Sequence, residues 1–168
     1  NSFVLDGSVL VEPSPTSLPH LRKCNIPAHD LDTVVISHFH PDHIFGLMQK
    51  GTNAANYPNA ELIVSATEYK WWTEPGRVEK LPEARKPLGN RIQSVFPNWK
   101  NFRLVEGETE VVPGVRLVNA PGHTPGHSAF LLASGNQQLM ISNDVAYVPA
   151  LLANKENVSE IIKKLGIG

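Results

Sequence analysis

The sequence predicts a single α/β (α+β) domain in which helices and strands first alternate and strands then follow one another. Three observations predict it. β-Branched runs and helical stretches interleave through the first hundred residues, short strands divided by Gly, Pro and Asn follow one another from Phe102, and 168 residues give room for one core. No stretch repeats with a period of 20 to 50 residues, so a solenoid is excluded.

Phe3-Val4-Leu5 and Val9-Leu10-Val11 flank an Asp6-Gly7 turn and are expected to form a hairpin or two edge strands, ended by Pro13-Ser14-Pro15. Ser17 to Cys24 reads as a short helix closed by the Asn25-Ile26-Pro27 turn. Asp32 to Ser37 is expected to be a buried strand, because Thr33, Val34, Val35 and Ile36 are β-branched in succession. Ile44 to Gln49 is expected to be helical, Glu61 to Ser65 a strand and Ala66 to Thr73 a helix. Gly76 to Trp99 is rich in charge, Pro and Gly with a weak helical period, and is expected to be an insertion or lid-like segment outside the core. Strands are then expected at Phe102 to Val105, Thr109 to Val112, Val115 to Val118, Ser128 to Leu132 and Gln138 to Ser142. Asn157, with Glu160 three residues on and lysines before Gly166, predicts a closing helix to Leu165.

Composition narrows the function. With 41% hydrophobic and 18% charged residues the chain has enough apolar material to fold. Fifteen basic against sixteen acidic residues give a net charge of -1 and no basic stripe, which disfavours nucleic acid and anionic lipid as partners. The apolar runs are far shorter than the roughly 18 residues that span a bilayer. The lone Cys24 forms no intrachain disulfide and is expected to be a half-buried thiol.

The chemistry is concentrated in His38-Phe39-His40-Pro41-Asp42-His43, three imidazoles and a carboxylate within six residues directly after a predicted strand. Alternate residues leaving a strand point the same way, so His38 and His40 can share one ion. The turn at Pro41 aims Asp42 and His43 at a second. Neutral imidazoles with carboxylates suit zinc, or iron or manganese where oxygen ligands are more numerous. Pro121-Gly122-His123-Thr124-Pro125-Gly126-His127 adds two histidines in a loop between predicted strands, and Asp144 ends the last strand. Phe39, Phe45, Trp71 and Trp72 are the aromatic residues available to line a substrate pocket. Adjacent Trp71 and Trp72 on one helix cannot share a face, so at least one is expected in the core.

In this order, the strand-to-HxHxDH junction, the PGHTPGH loop and the strand-end Asp resemble the metallo-β-lactamase-fold hydrolase superfamily over roughly residues 20 to 148. The resemblance implies an αββα sandwich with the metal site along its edge. It implies a first metal held by His38, His40 and His123, a second held by Asp42 and His43, and a bridging Asp144, with His127 in a supporting role. The 123 - 43 = 80 positions between His43 and His123 are similar to the lactonase and organophosphate-hydrolase branch. Having His40 where flavodiiron proteins carry Glu argues against that redox branch. The implied activity is a metal-dependent hydrolase in which a metal-activated hydroxide opens a lactone or cleaves an ester or phosphotriester. Two zinc ions are expected, with Asp42 handling the leaving-group proton. Tyr147 resembles a lactonase tyrosine that hydrogen-bonds the substrate carbonyl, and a plain packing aromatic is its other reading. A mononuclear-iron sulfur dioxygenase and a non-catalytic metal-binding relative are the alternatives. The expected partner is a small-molecule substrate, without nucleic acid or membrane. A homodimer stays open, as do cytoplasmic and periplasmic locations.

Two departures from the resemblance stand out. Upstream, where the family carries a supporting Asp, the nearest counterpart is Val9-Leu10-Val11-Glu12-Pro13, and the sequence does not assign Glu12 to the site. Downstream, the family's last ligand is a histidine well beyond the bridging Asp, whereas the 168 - 144 = 24 residues after Asp144 contain none. The domain over residues 1–168 is therefore expected to be incomplete at its C-terminal side; a single-ion site and an inactive relative are the other readings.

Overall fold

The computed structural model describes residues 3–5 and 8–145. Tyr147, the Asp6-Gly7 turn and the helix expected from Asn157 lie outside the described residues. Strands β1 (Phe3–Leu5), β2 (Val9–Val11), β3 (Thr33–Val35), β4 (Glu61–Ser65) and β5 (Phe102–Val105) form one five-stranded sheet in that order. β1 and β2 pair antiparallel, and β2 through β5 run parallel. Strands β6 (Thr109–Val112), β7 (Val115–Asn119), β8 (Ser128–Ser134) and β9 (Gln137–Ile141) form a second, antiparallel sheet of four.

Alternation along the parallel strands explains the layering. Leu10, Val34 and Leu62, aligned in register, face α1 (Ser17–Lys23), α3 (Ala66–Thr73) and α4 (Lys86–Val95), where they pack with Leu21, Trp72 and Ile92. Their neighbours Val11, Val35 and Ile63 face the second sheet and pack on Val111, Val115, Leu117 and Phe130. Among the described residues the layers are therefore helices, sheet and sheet. No helix among them is long and apolar enough to cross a membrane.

Three expectations are corrected. The segment over 76–99 is not a lid outside the core: it contains α4, whose Leu88, Ile92, Val95 and Phe96 recur at helical spacing, with Ile92 and Phe96 buried in the helical core. The helix expected to begin at Ile44 begins earlier, as α2 (Pro41–Ile44), and continues as a 3-10 turn to Leu47. Pro41 explains the shift, since its fixed φ suits the first helical position and its missing N–H is not needed there. Cys24 is exposed, not half-buried, because it lies just beyond the end of α1.

Candidate metal centre

The parallel strands deliver their carboxyl ends to one edge, the usual location of a site in such a sheet. Val11 of β2 leads into Glu12, β3 leads through Ile36 and Ser37 into His38, and β4 runs into α3, which carries Glu68. From the second sheet, the β7–β8 loop supplies His123 and His127, and the turn after β9 supplies Asp144.

Two donor groups meet at this edge. His38, His40, His123 and Asp144 form one, and Asp42, His43 and Asp144 the other, each with one donor atom per residue within 4.8 Å of the rest. Asp144 is common to both. Its Oδ2 stands 3.2 Å from His123 Nε2, 3.4 Å from His43 Nε2 and 3.6 Å from His38 Nε2. Four donors held tetrahedrally about 2.1 Å from an ion are about 3.4 Å apart; in the first group the His123–Asp144 and His38–Asp144 separations lie near that value, and His40 Nδ1 stands closer to His123 Nε2, at 2.8 Å. The donor chemistry agrees: His38 Nε2 is completely buried and has no hydrogen-bond partner, while Nδ1 lies 2.9 Å from Ser37 Oγ. A buried nitrogen lone pair left in that state is costly unless an electrophile takes it.

Electrostatics keep His38 and His40 neutral and able to donate lone pairs. Burial, with the neighbouring histidines His43, His127, His40 and His123, drives the His38 pKa far below its usual range. Burial, then His123 and Arg85, lowers that of His40 to about 4. His43 goes the other way: burial lowers its pKa, but the hydrogen bond to Glu12 and the charges of Glu12, Asp42 and Asp144 outweigh burial and raise it.

Of the supporting contacts, those of Glu12 and Glu68 come from residues that local pattern does not single out, and those of His127 from one that it does. Glu12 occupies the left-handed region at φ 60, rare for a residue of this shape. That backbone is held by Glu12 N–H to Val35 O at 2.9 Å, and the carboxylate accepts Ser37 N–H at 2.6 Å on Oε1 and contacts His43 Nδ1 through Oε2. Glu12 thus belongs to the site, orienting His43 so that Nε2 faces Asp144. His127 uses both ring nitrogens: Nδ1–H donates to Ala120 O at 3.0 Å and Nε2 accepts Asp144 N–H at 3.2 Å. It holds the Asp144 backbone and has no lone pair left for an ion; burial is the leading cause of its lowered pKa of about 4.

Glu68 is the second missed residue. Fully buried on α3, its Oε1 accepts Phe39 N–H at 3.0 Å and Trp72 Nε1–H at 2.8 Å, while Oε2 accepts Thr124 Oγ1–H at 2.6 Å and Gly126 N–H at 3.1 Å. The spacing of Glu68 and Trp72, four apart on the buried face of a helix, was the available signal.

The aromatic pocket expected from sequence is not the one found. Phe39 and Trp72 are core residues: Phe39 stacks on Phe96 at 4.6 Å, and Trp72 lies beneath His40 at 6.2 Å. Alternation drives the first, since Phe39 points away from its neighbours His38 and His40 into the helical layer. Phe45 and Trp71 are half-buried under the guanidinium groups of Arg91 and Arg77. The cleft beside the donor groups, about 660 Å³, is lined instead by Pro41, Ala84, Arg85 and Leu88 with His40, Asp42, His123 and Asp144. A larger groove of about 990 Å³ lies at the other end of β3, with Asp32 as the only titratable side chain lining it among the described residues.

A histidine–carboxylate centre with a shared Asp, set at the strand ends of a helix–sheet–sheet stack, defines a metal-binding protein of the α/β sandwich class. The profile of the Metallo-beta-lactamase superfamily matches residues 1–158, and the chain belongs to that superfamily. It is 31% identical over 147 residues to an N-acyl homoserine lactonase of Bacillus cereus, covering 87% of this chain and 48% of the relative. A probable metallo-hydrolase of Mycobacterium tuberculosis is 26% identical over 154 residues, 88% of this chain and 47% of the relative. The chain thus spans about half the length of the relatives it matches. Among solved structures, the hydrolase AbOPH of the beta lactamase superfamily aligns with TM-score 0.69 and 25% identity over 81% of this chain and 52% of that one. AidC, a dizinc quorum-quenching lactonase, shares the fold at TM-score 0.72 and 24% identity, over 83% of this chain and 53% of that one.

Proposed function

We propose that the chain carries the metal centre of a lactonase-type metallo-hydrolase that opens a lactone, or cleaves an ester or phosphotriester, with two zinc ions. The observation that supports the proposal is Asp144 Oδ2, which stands within 3.6 Å of imidazole nitrogens from both donor groups. His38, His40, His123 and Asp144 would hold one ion, and Asp42, His43 and Asp144 the other. Such ions would supply Lewis acidity and a lowered pKa for bound water.

The chain's own residues do the rest. His38 and His40 are kept neutral and lone-pair bearing, as argued above. Glu12 holds the His43 ring, and His127 holds the Asp144 backbone. Asp42, with a side chain 74% exposed and 3.4 Å from His43 Nε2, lines the cleft; it would take the proton released by the attacking water and pass it to the leaving group. Tyr147, outside the described residues, is expected to donate a hydrogen bond where negative charge develops on the carbonyl oxygen. The N-acyl homoserine lactonases among the relatives support a lactone as the substrate class.

Elemental analysis followed by a panel of lactones, aryl esters, phosphotriesters and thioesters tests the reading. About two zinc ions per chain and turnover abolished by chelation are expected. Full turnover by metal-free protein, or iron-dependent oxygen uptake with a persulfide, would overturn it.

A further inference from the structure

Among the described residues Arg85 is the one cation lining the cleft, and it points at the donor groups: its Nη1 donates to His40 Nε2 at 2.7 Å. Among the described residues no carboxylate pairs with it, whereas the nearby Lys86 and Arg77 pair with Glu83 and Glu74. Asp42 and Asp144 share the cleft but are turned toward His43, each 3.4 Å from its Nε2.

The contact with His40 does not survive a cation on that ring. His40 Nδ1 lies 2.8 Å from His123 Nε2, on the side of the first donor group, while Nε2 faces Arg85. An imidazole that gives its Nδ1 lone pair to a cation carries its proton on Nε2. Two donors then face each other, and the guanidinium is released into a cleft whose remaining wall is Pro41, Ala84 and Leu88.

We infer that Arg85 recognises an anionic substituent, a carboxylate or its equivalent, carried by the substrate in addition to the bond that is hydrolysed. The inference rests on the hydrolase reading for the identity of the bond. It does not rest on that reading for the anion, since a planar fork of donors without a carboxylate partner among the described residues is matched to a carboxylate. Pro41, Ala84 and Leu88 take the short apolar chain between the two groups.

The test uses two lactones with acylamino chains of equal length, one ending in methyl and the other in carboxylate, and the zinc-loaded protein as wild type, Arg85→Met and Arg85→Lys. The wild type is expected to prefer the carboxylate-bearing lactone. In Arg85→Met the anionic-to-neutral ratio of kcat/KM should fall by about 10-fold or more, carried by KM, because a hydrogen-bonded charge is lost. Arg85→Lys should restore part of it. A wild-type preference for the neutral lactone, or a ratio unchanged in Arg85→Met, overturns the inference. Calorimetry with the two ring-opened products supplies a readout that needs no turnover. If neither lactone is hydrolysed the hydrolase reading fails, and the anion assignment is still decided: about 10-fold weaker binding of the anionic product alone in Arg85→Met supports it, and equal binding overturns it.

Discussion

Thr124 donates its hydroxyl proton to Glu68 Oε2 at 2.6 Å, which ties the loop bearing His123 and His127 to the helix after β4. The same carboxylate takes the Phe39 N–H, between His38 and His40, on its other oxygen. One buried side chain thus fastens two ligand loops that are far apart in sequence. The approach is close enough that a Cβ on Gly126 would stand 2.0 Å from the Glu68 backbone nitrogen.

Glu68→Ala would leave the Phe39 and Gly126 N–H groups, the Trp72 Nε1–H and the Thr124 hydroxyl without their acceptor. Buried orphans of this kind cost about 1–3 kcal/mol each and do not add fully, so a loss of about 3–5 kcal/mol is expected in urea unfolding of the metal-free protein. Glu68→Gln replaces one acceptor by a donor and should cost about 2 kcal/mol. Because the clamp sets the distance between ligand loops, both variants should also bind zinc about 10–100-fold more weakly. Wild-type zinc affinity in a folded Glu68→Gln would show that the loops are positioned by something else.

Glu12 touches a donor side chain directly in one group, and reaches the other only through the Ser37 backbone N–H. Its carboxylate contacts His43 Nδ1, and His43 belongs to the group with Asp42 and Asp144, apart from His38, His40 and His123. Glu12→Gln should therefore bind a first equivalent of zinc as the wild type does and a second about 10–100-fold more weakly. Competition with a chromophoric chelator resolves the two. Equal weakening of both equivalents would contradict this division of labour.

What was legible in the sequence was local. β3 and β4 follow from unbroken β-branched or aliphatic runs, and the histidine cluster announces itself because its donors lie within six residues. Glu68 meets Thr124 across 56 positions and Arg85 meets His40 across 45, and no window of sequence contains such pairs. Glu12 was hidden for a different reason: its place depends on a left-handed backbone that β-strand pattern does not suggest for a glutamate. In α4 the apolar stripe was present but diluted by Pro87, Gly89 and flanking charges, which obscured a core helix.

Phe39 separates packing from recognition. It lies between two ligand histidines yet has no exposed surface and stacks on Phe96. Phe39→Ala should cost about 3–5 kcal/mol of stability, as expected for a buried aromatic. Phe39→Leu, which keeps most of the volume, should recover a large part of that loss and leave KM for the hydrolysed substrate unaltered. A KM rise in Phe39→Leu without a stability change would return Phe39 to the pocket.

Tyr57 gives a pH dependence that is independent of the metal centre. It is buried in the helical core, and burial, partly offset by Ser17, pushes its phenol up to about 12 from the ordinary value of 10. Between those two values the unfolded chain has lost the proton and the folded chain has kept it. The contribution of Tyr57 to stability is thus fully present below pH 10 and is lost as pH rises through about 12. The phenolate absorbance of wild type minus Tyr57→Phe should titrate with a midpoint near 12, and the Tyr57→Phe variant should lose less stability than the wild type across this window. A difference titration centred at 10 would mean that the side chain meets solvent in the folded protein and that the helical core is open at this corner.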